Sequence, residues 1–125
     1  MEVLIIDDEQ SITDALQIIL CDSGHTVAIA ATGRDGLNQA SRKRYDVTIT
    51  DLRLPDISGL DLLSLLRRRE PSCFIIVITA HGTPEIAAES LRRGAFHFLC
   101  KPFQPADILT LIDEVSTKTG RPALD

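Results

Sequence analysis

The chain has 125 residues and a formal net charge of -5, which fits one domain at roughly 100 to 200 residues each and argues against a surface that attracts nucleic-acid phosphates by bulk charge. Leu, Ile, Val and Phe supply 39 residues and Trp is absent, so the chain is apolar enough to fold around an aliphatic core. Its longest apolar run, Phe74 to Ile78, is far short of the roughly 20 residues of a membrane span, and the opening Met-Glu-Val has no basic leader; a cytoplasmic protein without a membrane partner is expected.

Apolar patterning and turn residues alternate along the chain. Val3 to Ile6 reads as a strand that ends in the carboxylates Asp7, Asp8 and Glu9. Ile12, Leu16, Ile19 and Leu20 then share one helical stripe, with Ser11 and Asp14 resembling a capping box and Gly24 as the stop. Thr26 to Ala30 is a second strand, and Thr32 with Asp35 caps a helix reaching about Lys43, its buried face marked by Leu37 and Ala40. Val47 to Thr50 delivers Asp51 at its carboxyl end, and Pro55, Asp56 and Gly59 break the chain before Ser58 and Asp61 cap a Leu-rich helix to Arg69. Phe74 to Thr79 is apolar at nearly every position, as a parallel strand covered on both faces must be. Thr83 as N-cap and Pro84 at the first helical position start a fourth helix that Gly94 ends. Phe96 to Cys100 closes on Lys101-Pro102, and Ile108, Leu111, Ile112 and Val115 stripe a last helix, after which Ser116 to Asp125 reads as a frayed polar tail. Cys21, Cys73 and Cys100 fit neither a disulfide framework nor a zinc site and are expected as buried small hydrophobes.

Five strands alternating with five helices imply right-handed crossovers and an open three-layer α/β sandwich. Ligands bind such sheets outside the carboxyl ends of the strands. Those ends here carry Asp7-Asp8, Asp51, Thr79 and Lys101. Crowded carboxylates repel one another and are relieved by a cation; oxygen donors without His or Cys suit Mg2+. No Gly-rich turn follows the first strand, so flavin and dinucleotide binding are disfavoured. A metal beside an isolated carboxylate and a lysine suits phosphoryl transfer, with Asp51 as nucleophile and Lys101 and Thr79 holding phosphoryl oxygens. The clusters Arg67-Arg68-Arg69 and Arg92-Arg93 fall in last helical turns, where cations complement the macrodipole.

The runs Asp7-Asp8-Glu9, Asp51 to Gly59, Thr79-Ala80-His81-Gly82 and Lys101-Pro102-Phe103 together resemble the receiver domain of bacterial two-component response regulators. The resemblance covers residues 2 to about 117, with 118–125 as a tail or the start of a linker. It implies a flavodoxin-like (βα)5 fold with strand order 2-1-3-4-5. It implies that Asp51 accepts a phosphoryl group from a sensor histidine kinase or phosphotransfer protein. Asp8, Asp51 and the backbone carbonyl of Arg53 would ligate Mg2+, with Asp7 acting through a water. Thr79 would be the switch hydroxyl and Phe98 the switch aromatic, without the hydroxyl of a tyrosine; Pro102 would follow a cis bond. Arg53 and His81 lie where similar positions tune phosphoryl lifetime. The face of the fourth helix, fifth strand and fifth helix would meet a second receiver or an output domain, and the local wording is similar to receivers of transcriptional activators with an ATPase output domain. Two other classes share part of this pattern. An aspartyl-phosphate hydrolase wants an acid two positions after its nucleophile, where this chain has Arg53, and a non-catalytic docking module has no need of the acid, hydroxyl and lysine set.

Overall fold

The computed structural model describes residues 1–119. Its elements run β1 (Glu2–Ile6), α1 (Gln10–Asp22), β2 (Thr26–Ala30), α2 (Gly33–Arg42), β3 (Val47–Thr50), α3 (Gly59–Arg69), β4 (Phe74–Thr79), α4 (Pro84–Arg92), β5 (His97–Cys100) and α5 (Pro105–Thr119). The five strands are parallel in the order β2-β1-β3-β4-β5. Burial follows position in the sheet: every residue of β3 is buried, whereas the edge strands β2 and β5 are mostly half-exposed.

Alternation along the strands builds two cores. Val3, Ile5, Val47, Ile49, Ile76 and Ile78 pack against Leu16 and Leu20 of α1 and Ile108, Leu111, Ile112 and Val115 of α5. Leu4, Ile6, Ile75 and Val77 face the other way, against Ala40 of α2 and Leu62, Leu63 and Leu66 of α3. Burying each such Leu or Ile contributes about 1.5–3 kcal/mol, which is why period-two alternation sets the register.

Several local expectations change. Ser11 lies inside α1, because the Glu9 carbonyl already accepts the amides of Ile12 and Thr13 and the Glu9 N-cap makes no side-chain cap bond. Ser58 precedes α3 without a side-chain cap bond. Thr32 and Thr83 do cap, accepting from the amides of Asp35 and Ile86 at 3.1 Å each. Helix α5 continues through Thr119, past the expected start of fraying, and residues 120–125 of the expected tail lie outside the described residues. Of the three cysteines only Cys73 is buried; Cys21 and Cys100 are exposed, one in the last turn of α1 and the other at the end of an edge strand.

Arg67 spends its guanidinium on backbone. It donates to the carbonyls of Glu70, Pro71 and Cys73 at 3.5, 2.8 and 2.7 Å and to that of Gly94 at 2.7 Å. Gly94 has φ 109°, and a Cβ there would meet the Arg67 side chain. One side chain thus ties the turn after α3 to the turn after α4.

Candidate functional site

Sheet register brings the chemistry together. Ile6 pairs with Thr50 across β1 and β3, so Asp7 and Asp51, each one residue further, leave adjacent strands side by side. Thr79 pairs with Cys100 across β4 and β5, and the Lys101 amide donates to the Thr79 carbonyl at 2.9 Å, which turns the lysine back over the strand ends. The Lys101–Pro102 bond is cis.

The Lys101 ammonium lies 2.8 Å from Asp51 Oδ2, 3.0 Å from Asp7 Oδ2 and 2.9 Å from Glu9 Oε1. Asp7 and Asp51 are 4% and 5% exposed. Asp51 Oδ1 accepts from the Arg53 amide at 3.1 Å, and Asp7 Oδ1 from the Glu9 amide at 2.9 Å. Burial alone would raise the pKa of Asp51, but hydrogen bonds from Lys101, the Arg53 amide and the Thr79 hydroxyl outweigh it and hold the carboxyl below its ordinary value. For Asp7 burial wins over its bonds from the Glu9 amide and Lys101, and its pKa rises. Burial would lower Lys101, yet its bonds to Asp51, Glu9 and Asp7 carry it well above the ordinary lysine value. The surroundings thus favour the charged forms of Asp51 and Lys101, and they shift the two neighbouring carboxyls Asp51 and Asp7 in opposite directions.

Asp7, Glu9 and Asp51 offer oxygens all within 4.8 Å of one another. That all-oxygen donor set, open on one side through the exposed Glu9, matches the chemistry of a hard cation such as Mg2+. Asp8 does not join the trio: it is exposed and lines, with Asp7, Gln10, Thr13 and Asp14, an open cleft of about 300 Å³ at its margin. Glu9 takes the place beside Lys101 that residue pattern alone did not assign; the run of three acids after β1 was its one signal.

Thr79 is fully buried, with its Oγ1 accepting from the His81 amide at 3.3 Å. Arg53 and His81 line one cavity of about 180 Å³ with Thr79, Leu52, Gly59 and Ile86. Phe98 is half-buried against the α2/α3 core, its ring filling the space a side chain on Gly82 would need.

Fold and site together define a flavodoxin-like α/β domain that presents a lysine-clamped aspartate at the switch point of its sheet. The chain belongs to the response regulator receiver domain family, which it matches over residues 3–113. It is 30% identical over 123 residues to the transcriptional regulatory protein GlrR of Escherichia coli, covering 98% of this chain and 28% of that protein. The chain thus spans under a third of the curated relatives it matches, at 28% and 23% of two of them. A CheY-like response regulator receiver domain protein from Methanospirillum hungatei superposes with TM-score 0.91 at 32% identity, over 95% of this chain and 96% of that one. The beryllofluoride-activated NtrC4 receiver domain dimer gives TM-score 0.89 at 32% identity, over 94% and 97%. Among the described residues no helix is long and apolar enough to cross a membrane.

Proposed function

We propose that this receiver takes a phosphoryl group onto Asp51 from the phosphohistidine of a sensor kinase or phosphotransfer protein. The observation that carries this reading is the buried Asp51 carboxyl held at 2.8 Å by the Lys101 ammonium at the carboxyl ends of the strands. An ionised carboxylate needs no general base: one Asp51 oxygen bonds to phosphorus as the phosphorus–nitrogen bond to the donor imidazole breaks, and the product is a mixed anhydride. Lys101 then holds a phosphoryl oxygen by a charge-assisted hydrogen bond and the Thr79 hydroxyl holds another. Asp51, Asp8 and the Arg53 carbonyl would hold Mg2+, with Asp7 acting through water; the buried carboxylates Asp7 and Asp51 and the open cleft that Asp7 and Asp8 share support this. When bound, the ion neutralises charge on the transferring group.

Thr79 drawn toward the phosphoryl group vacates space toward which Phe98 can turn, changing the face of α4, β5 and α5. A phosphoryl group shifts this equilibrium only by its differential affinity for the two states, with coupling of about 1–3 kcal/mol typical. That face would meet a second receiver or an output domain in a cytoplasmic regulator, and the dimer of the NtrC4 receiver supports the first. The chain acts as a switch that assists its own phosphorylation and dephosphorylation.

Incubation with Mg2+ and acetyl phosphate, followed by intact mass, is expected to give a single labile adduct that Asp51→Asn abolishes. Multiple turnover of the phosphodonor with no accumulating adduct would point to a hydrolase, and no reaction to a docking module.

Arg53 and His81 flank the cavity beside Thr79, where they obstruct water approaching the anhydride. Arg53→Ala and His81→Ala are expected to speed loss of the phosphoryl group several-fold, measured by adduct decay after donor removal. Unchanged decay in both variants defeats this role.

A further inference from the structure

At the opposite end of β3 from Asp51, the turn after α2 and the end of α3 border an open, shallow groove of about 500 Å³. Arg42, Lys43, Arg44 and Arg69 line it, against one carboxylate, Glu70. This is a cationic concentration on a chain whose net charge is -5. Arg42 and Arg69 stand in the last turns of α2 and α3, where cations complement the macrodipole, whereas Arg44 lies in the loop beyond α2. Arg67 alone serves the backbone carbonyls after α3, and Lys43 pairs with Glu2 at 2.7 Å. Arg42, Arg44 and Arg69 are exposed. Three guanidiniums that cannot lose their protons thus line one open surface groove beside a single carboxylate, Glu70.

We propose that this groove binds a small anion carrying two or more linked phosphate groups. Guanidinium forks match phosphate oxygens bidentately, and such contacts need no deep cavity. Beyond the methyl of Ala40 the lining has no apolar or aromatic side chain. A protein partner would need such an anchor at its centre, and a single-stranded nucleic acid would need a stacking platform. The groove and Asp51 lie at opposite ends of β3, so ligand and phosphoryl group would not compete for residues.

The test is titration calorimetry of the chain with sodium triphosphate in Mg2+-free buffer at physiological ionic strength. One saturable site in the micromolar range is expected, with Arg42→Gln and Arg69→Gln each weakening it roughly tenfold. Arg68→Gln, exposed and outside the lining, should bind like the natural chain, and acetyl phosphate labelling of Asp51 should be unchanged in all three variants. The proposal is overturned by absence of saturable heat, by equal weakening in Arg68→Gln, which would mean diffuse charge alone, or by tighter binding of a polyglutamate peptide or a short DNA duplex than of triphosphate.

Discussion

Lys101→Met is expected to destabilise the metal-free protein by about 3–5 kcal/mol, the usual cost of removing one partner from a buried ion pair. Methionine keeps the length and packing of the side chain but leaves Asp7, Glu9 and Asp51, whose oxygens lie within 4.8 Å of one another, with no internal cation. Against a total stability of about 5–15 kcal/mol for a domain of this kind, that loss is large. Two further measurements separate electrostatics from lost packing. Adding Asp51→Asn removes one of the crowded carboxylates, so the double variant should recover part of the loss, a coupling that a double-mutant cycle reads directly. Millimolar Mg2+ should stabilise Lys101→Met more than the natural chain, because the variant has the greater unrelieved repulsion. Urea unfolding in the presence of chelator and then of Mg2+ reads both effects. A variant as stable as the natural chain under chelator would show that the three acids do not depend on the amine, and equal stabilisation of both by Mg2+ would place the ion elsewhere.

Gly59→Ala is the second large expected loss, about 3 kcal/mol and a fall in Tm on the order of 10 °C. Gly59 opens α3 and folds back on the strand exit: its amide donates to the Leu52 carbonyl at 3.1 Å, and Arg53 bridges to Ser58 across the same loop. A Cβ at this position would fall on the Leu52 backbone, 2.7 Å from the carbonyl carbon. Alanine ordinarily gains about 0.5–1 kcal/mol over glycine in a helix, so the clash wins, because backbone one residue from Asp51 cannot rotate away. Gly82→Ala provides the comparison. There the added carbon meets the Phe98 ring at 2.7 and 2.8 Å, and a ring can turn, so the loss should be smaller. Thermal unfolding of both variants checks the ordering; Gly59→Ala at or above the stability of Gly82→Ala would show that the loop yields.

The two glycines mark a boundary in what residue pattern conveys. Strands and helices follow from alternation and stripes, and their ends from Gly24, Thr32, Thr83, Pro84 and Gly94, since each of these acts through its own backbone or the amide three residues on. Asp51, Thr79 and Lys101 were readable for a related reason: once a parallel sheet is inferred, the residue after each strand must lie on one edge. Glu9 was not, because the reach of a side chain from a loop onto Lys101 depends on a turn set by the bond from the Glu9 amide to Asp7, which no periodicity encodes. The same holds for Ser11, where the Glu9 carbonyl takes the amides of Ile12 and Thr13, for Ser58, which heads α3 without a side-chain cap bond, and for Arg67, whose four carbonyl partners lie in two turns distant from each other in sequence. Cys21 and Cys100 were misplaced because cysteine's average burial says nothing about which side of a helix end or edge strand it occupies.

Helix α4 is held unequally along its length. Its one buried residue is Ser90. Near the same end Arg93 binds Glu89 at 2.8 Å, Asp61 at 3.3 Å and Ser64 at 3.4 Å, and Gly94 is latched by Arg67. The Thr83 end, next to the loop from Thr79, has no comparable anchor among the described residues. A rod pinned at one extremity turns about that fulcrum, so under the proposed switching a pull on Thr79 would displace the adjoining tip most, with Arg93 and Gly94 as the pivot.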